Sequence, residues 1–314
     1  MAGSELELWE NPKAQEVYLI AGWRQWADAG SVSSGLLQYL IQQNHARPIG
    51  QIRTDGFYLF QIPGTHDLVR PEIKLKDGYP EVLNTPRNDF YYSGDERRGL
   101  VYFLGDEPHL DAERYAAAFL QAAKDLKIKR VVGFGGVYGE LPYDKERMIS
   151  SIYSIPAMQD EIGRYAVNLS NYHGGASIES FICRRAGEMG IEFVAFYAFV
   201  PTYDFSAVAQ MEKSIRIEND FMAWLGVMQR VTHMLKLDFD LSDLEQKSRN
   251  LVELMDAEIA ELEKASQFDV RAYMRQVAEN FTEMPFTPHD TFWEEKLKGL
   301  FDRLDPDEGQ EKLD

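Results

Sequence analysis

Four short stretches hold the residues on which chemistry could rest. Residues 22–30 contain Arg24, Trp26 and Asp28, and residues 133–143 contain Gly135, Gly136, Glu140 and Tyr143. Residues 171–175 contain Asn171, His173, Gly174 and Gly175, and residues 201–204 contain Tyr203. Each is richer in glycine and in polar or aromatic side chains than a plain connection needs. Brought together they make a polar, aromatic-lined pocket. Its expected ligand-binding residues are Arg24, Trp26, Asp28, Gly135, Gly136, Glu140, Asn171, His173, Gly174 and Gly175. His173 adds an imidazole, a side chain that can both donate and accept a proton. Gly174 and Gly175, just before a helix, can offer free backbone amides to an anion.

Each piece also has a plainer use. Asp28 and Ser31 suit helix capping. The glycines at 133, 135, 136 and 139 lack the Gly-x-Gly-x-x-Gly spacing and the acidic follower of a dinucleotide site, and no Lys-Ser/Thr ends them as in a phosphate loop. Turning the chain is the alternative. His45, His66, His109, His233 and His289 show no ligand spacing among themselves or to Cys183, so no metal is expected. Cys183 falls on the apolar face of a helix, where a buried thiol is usual. No Gly-x-Ser-x-Gly elbow occurs, and no pair of carboxylates is marked out for acid–base work. No cofactor and no particular reaction is implied.

The four stretches follow runs of strand character. Apolar segments at 17–21, 100–104, 130–134 and 193–200 read as buried core strands. Segments at 49–55, 151–155 and 167–169 add further strands. Between them lie helical periodicities: Val32, Leu36 and Leu40 on one face, then Tyr115, Phe119, Ala122 and Leu126 behind Asp111, then Ile178 to Met189, closed by Gly190. Strands alternating with crossover helices predict an α/β fold, a three-layer arrangement with a mainly parallel sheet and helices on both faces. In such sheets, ligands bind beyond the carboxyl ends of the strands, where the strand order reverses. Residues 70–92, rich in Pro, Gly, Asn and Asp, read as hairpins or an excursion at the sheet edge.

After residue 206 the pattern becomes helical. Phe221, Trp224, Met228, Val231 and Leu235 form one stripe. Leu241, Leu244, Ser248, Leu251 and Met255 form a second, opened by a capping box at Ser242 and Glu245. An antiparallel hairpin is expected, packed on the sheet or docked on another subunit. Shorter helices follow at 270–280 and 291–300. The division is thus an α/β domain (1–205), a helical extension (206–304) and a disordered tail (305–314).

The chain has 314 residues and a net charge of −18. Residues 237–314 carry 21 acids against 9 bases, a net of −12, and leave −6 for the rest. That surface repels phosphate backbones and anionic membranes, which excludes nucleic acid and membrane as partners. The single cysteine permits no intrachain disulfide and agrees with a reducing, cytoplasmic setting. The longest apolar run has eight residues, whereas a membrane span needs about 20. The amino-terminal stretch has no signal-peptide character.

The run GWRQWADAG after an apolar strand, NYHGGASIES, and a strand ending in VPTYD together resemble the proteasome assembly chaperone family of the second type, in its bacterial branch. The resemblance spans residues 17–204. It implies a three-layer α/β domain like the purine nucleoside phosphorylase fold, homo-oligomerisation, and for archaeal and eukaryotic relatives an action on proteasome subunits without established chemistry. Relatives that dock on the proteasome can end in a hydrophobic residue, a tyrosine and any last residue. Lys312-Leu313-Asp314 departs from that pattern, so that mode of docking is not expected. Two readings follow. One is a self-associating, non-catalytic assembly or interaction factor with a possible protein partner. The other is a small-molecule binder or enzyme for a nucleoside-like or anionic ligand in the cleft.

Overall fold

The computed structural model describes residues 5–62, 69–204, 214–265 and 269–286; the expected helix at 291–300 and the tail from 305 lie outside them. The strands are β1 (Leu6–Leu8), β2 (Glu16–Arg24), β3 (Arg47–Ile52), β4 (Glu72–Lys76), β5 (Tyr79–Asn84), β6 (Asp89–Gly94), β7 (Arg98–Asp106), β8 (Ile128–Gly139), β9 (Ile149–Tyr153), β10 (Asn168–Leu169), β11 (Phe193–Asp204) and β12 (Ser214–Arg216). The helices are α1 (Gly35–Gln43), α2 (Ala112–Asp125), α3 (Gln159–Ile162), α4 (Ile178–Glu188), α5 (Phe221–Leu235), α6 (Ser242–Ala265) and α7 (Val270–Glu279).

Ten strands form one sheet in the order β1-β3-β6-β7-β2-β8-β11-β9-β10, with β12 paired to β11. Its central four, β7-β2-β8-β11, are parallel. The flanking β1, β3 and β6 on one side run antiparallel to their neighbours, β9 and β12 run antiparallel to β11, and β10 is parallel to β9. The parallel strands are buried on both faces, which is why they read as continuous apolar runs. Alternation splits β2: Val17, Leu19, Ala21 and Trp23 join one core with α2 and α4, while Tyr18 and Ile20 join the other with α1 and α5. The result is three layers, helices on both faces of the sheet, as expected.

Both amphipathic stripes of the helical region turn inward. Ala223, Trp224, Val227, Met228 and Val231 of α5, and Leu244, Leu251, Met255, Ile259 and Leu262 of α6, belong to the core that also contains Ile20, Phe134 and Phe196 of the sheet. Asp220 fastens this layer. Its carboxylate caps α5 by accepting from the amides of Met222 and Ala223. Its other oxygen meets Arg147 Nε at 2.7 Å, and both side chains are wholly buried. Arg147 in turn donates to the carbonyls of Pro142, Tyr143 and Lys145.

Several expectations are corrected. The glycines from 133 to 139 are not a loop: β8 stays paired with β11 as far as Gly139, opposite Pro201. Residues 201–204 likewise continue β11. Glycine runs suggest turns, but here they allow close packing, since a Cβ on Gly133 or Gly135 would strike Glu179 or Tyr197. The helix after β2 begins at Gly35, because Gly30 and Ser31 take left-handed φ values within a 3-10 turn. Asp111 precedes α2 without capping it and pairs with Arg114 instead. Asp240, two residues earlier than the expected capping box, accepts the Ser242 amide. The 70–92 region divides: β6 lies inside the sheet, between β3 and β7, while β4 and β5 form a separate ribbon.

Removing one member of a buried ion pair leaves the other charge unpaired, at a cost of about 3–5 kcal/mol. Asp220→Ala also removes a helix cap, so urea unfolding followed by circular dichroism is expected to show a loss at the upper end of that range.

Candidate functional site

In spatial order the parallel strands β7-β2-β8-β11 read second, first, third, fourth. The order therefore reverses between β2 and β8, the position at which open α/β sheets bind ligands. A cleft of about 890 Å³ opens at the carboxyl ends of those two strands. One wall is the segment after β2, with Gln25, Trp26, Ala27 and Ala29. The end of β8 supplies Gly136, Val137 and Tyr138. The segment leading into α4 supplies Ser170, Tyr172, His173, Gly174, Gly175, Ala176 and Ser177, with Ser180 in the helix. Ser150 and Ile152 of β9 and Tyr197 and Phe199 of β11 complete it.

Gly136 sets the geometry. Its amide donates to Ala27 O at 2.7 Å, and Asp28 forms a parallel bridge with it. A Cβ there would lie 2.0 Å from Ala29 O, so only glycine lets the segment lie flat on the strand. Asp28 does not face the cleft. Its carboxylate accepts from the amides of Ser33 and Ser34 at 3.0 and 2.9 Å and from Ser34 Oγ at 2.6 Å. Burial pushes its pKa up against those bonds. Asp28 thus ties the turn ahead of α1, but neither it nor Ser31 caps a helix: no side-chain cap bond is made at the 3-10 turn or at α1, and Ser31 Oγ donates to Glu218 O. From the opposite side, Gly30 O accepts from the Asp220 amide and from Trp224 Nε1, both at 2.9 Å, so α5 braces the same segment.

Of the ten expected site residues, Trp26, Gly136, His173, Gly174 and Gly175 line the cleft. Arg24 is turned to Asp106 on β7, at 3.1 Å. Gly135 lies under the Tyr197 ring. Glu140 accepts from the Tyr273 hydroxyl of α7. Asn171 is exposed outside the wall. Tyr143 and Tyr203 are likewise committed elsewhere, to Asp256 and to Leu141 O.

Next to Gly174-Gly175, the first amide of α4 is already taken. Glu107 Oε1 accepts the Ile178 amide at 2.7 Å at the start of α4, and the Trp26 amide also donates to this carboxylate. Ser177 Oγ caps the helix by accepting from Ser180 N at 3.2 Å. Behind this cap lies Glu179, which the sequence reading passed over. It sits three and four residues before Ile182 and Cys183, on the buried stripe of α4. The Tyr197 hydroxyl is its polar neighbour, while Oε1 has no hydrogen-bond partner and rests against Gly133. Burial raises its pKa to about 8, helped by the nearby Glu107 charge. The carboxyl is therefore protonated at neutral pH. Burial also raises Tyr197 well above the usual phenol value. Ser177 Oγ, 3.4 Å from the Tyr197 hydroxyl, links this pair to the cleft wall.

A family model, the PAC2 family, matches residues 22–259. The chain belongs to the PAC2 family. A PAC2 protein of Streptomyces avermitilis shares the fold with a TM-score of 0.63 at 20% identity, covering 78% of this chain and 99% of its own. A proteasome-assembly chaperone homologue of Mycobacterium tuberculosis gives 0.64 at 21%, covering 76% and 94%. An archaeal proteasome activator of Pyrococcus furiosus gives 0.57 at 17%, covering 80% and 97%. Comparison with curated protein sequences gives no match. This PAC2 chain thus bears out the resemblance read from GWRQWADAG, NYHGGASIES and VPTYD. Among its described residues no helix is long and apolar enough to cross a membrane.

Two outcomes follow. Gly136→Ala forces the Ala29 carbonyl off the strand, and overpacking of this kind costs about 1–3 kcal/mol. Thermal unfolding should fall accordingly, and the fluorescence of Trp26 should change with it. For Glu179, an unfolded carboxyl titrates near 4.5 and the folded one near 8. Between those values the folded chain holds the extra proton, so this contribution is complete below the lower value and lost as pH rises through the upper one. Glu179→Gln is expected to remove that decline. The difference in melting temperature, variant minus wild type, should grow between pH 6 and pH 9; a constant difference would contradict the assignment.

Proposed function

We propose that this PAC2 protein is a self-associating, non-catalytic assembly or interaction factor acting in the cytoplasm. The observation that supports this most directly is the ribbon formed by β4 and β5. Its two-residue turn, Asp77-Gly78, has φ values of 50° and 84°, the left-handed pair that suits a tight hairpin. Ile73 pairs with Leu83 and Leu75 with Pro80, which puts four apolar side chains on one face. Ile73, Leu75 and Leu83 are 54%, 59% and 59% exposed. A lone two-stranded ribbon is marginal in water, and an uncovered apolar face adds to its cost.

A second copy of the same chain is the occupant that suits this face. Most surfaces of a chain of charge −18 repel their own copies. Residues 72–84 hold Lys74 and Lys76 against Glu72, Asp77 and Glu81, a net of only −1. Two ribbons meeting about a two-fold axis bury the same apolar patch on both partners. Relatives described as a proteasome-assembly chaperone homologue and a proteasome activator give the protein-interaction reading its direction. A specific observation favours a second reading as well, a small-molecule site: the cleft of about 890 Å³ at the strand-order reversal.

Light scattering coupled to size exclusion tests self-association. The full chain is expected at a multiple of 36.1 kDa. The double variant Ile73→Glu, Leu83→Glu is expected at the single-chain mass, with an unchanged far-ultraviolet spectrum. A single-chain mass for the wild type at micromolar concentration removes the proposal.

A further inference from the structure

We propose that the cleft between β2 and β8 takes a small, uncharged, planar aromatic ligand, held by stacking against its rim rather than by ion pairing. The proposal rests on the small-molecule reading of the cleft and narrows it to one chemical class. Three observations lead to it.

The first is where the exposed rings are. Among the described residues, six aromatic side chains stand out as exposed: Trp9, Trp26, Phe60, Tyr79, Tyr138 and Tyr172. Three of them, Trp26 at 59%, Tyr138 at 47% and Tyr172 at 72%, belong to this one cleft. They come from three separate chain segments, after β2, in β8 and before α4, so local sequence does not explain their meeting. Arg216 lies over one face of the Tyr138 ring and the Tyr172 ring reaches across Gly174 to Gly175 O; the ring surfaces left uncovered around the concavity offer offset stacking to a flat guest.

The second is charge. Asp, Glu, Lys and Arg make up 27% of the chain, which would give about five among nineteen lining residues, yet none of the nineteen is of these types. The position an anion would take, the α4 amino terminus, is held by this chain's own Glu107. An anionic ligand therefore finds neither a basic side chain in the wall nor a vacant amide at Ile178. A cation finds no counter-charge in the wall; of the two carboxyls behind it, Glu107 is engaged by the Ile178 and Trp26 amides and burial pushes the pKa of Glu179 up to about 8. Arg216, whose guanidinium lies 5.7 Å from the Tyr138 ring centroid, stands outside the wall.

The third is the polar inventory. Ser150, Ser170, Ser180 and Gln25 give the lining neutral donors and acceptors. A few such groups amid apolar walls orient a guest without requiring charge, and about 300–1,000 Å³ is the usual size of small-molecule sites.

The test is titration of the full chain, followed by tryptophan fluorescence and thermal shift, with four probes. Caffeine and lumichrome are neutral and planar, pyrophosphate is the anion, and phenyltrimethylammonium is the cation. The expected result is saturable binding of at least one neutral probe at sub-millimolar concentration. Trp26→Ala and Tyr172→Ala should each weaken it about three- to tenfold, and Trp9→Ala, outside the cleft, should not. Binding of pyrophosphate or the cation alone, sensitive to Trp26→Ala, overturns the ligand class and leaves the cleft as a site. Neutral binding indifferent to both rim variants overturns the placement. No binding of any probe at millimolar concentration overturns the small-molecule reading together with this one.

Discussion

The Ala29 carbonyl lies where a side chain on Gly136 would be, and much of the molecule follows from that contact. Because the strand offers bare backbone there, the segment after β2 can lie flat across β8. This shapes the floor of the cleft and fixes Trp26 at its rim. The same segment presents Gly30 O to α5, where the Asp220 amide and the Trp224 indole both donate to it. One short stretch is thus held from the sheet on one side and from the carboxyl-terminal helices on the other. Asp220 then connects this point to Arg147 and to the turn beyond β8.

Much of the fold was legible because its signals were local. Buried parallel strands announce themselves as apolar runs, and 17–21, 100–104 and 193–200 fall inside β2, β7 and β11. Helix faces repeat every three or four residues, which located α2, α4, α5 and α6. What misled was glycine. In Gly133 to Gly139 its rarity of side chain serves contacts from Glu179, Tyr197 and Ala29, all distant in sequence, and no local pattern distinguishes that use from a turn. Pairing along β8 and β11 overrides the propensity of the residues involved.

The candidate site was legible in outline and less so in detail. The strand-end rule found its location, and half of the named residues line it. Arg24, Asp28 and Glu140 were drawn away by partners that sequence does not reveal: Asp106, the Ser33–Ser34 amides and Tyr273. The aromatic contributors Tyr138, Tyr172 and Phe199 lacked a motif. Glu179 had one readable sign, an acid on the apolar stripe of its helix, and its burial explains both its retained proton and its lone unsatisfied oxygen.

The β4–β5 ribbon has a further property. Pro80 deprives one strand of an amide opposite Leu75, and the register of the other slips between Lys74 and Leu75. Irregularities of this kind, together with edge lysines, spoil a ribbon as a template for added strands. Growth along its edges into a fibre is thereby blocked, while its flat apolar side stays available. Under the self-association proposed above, such an arm favours a closed, countable assembly over an endless one.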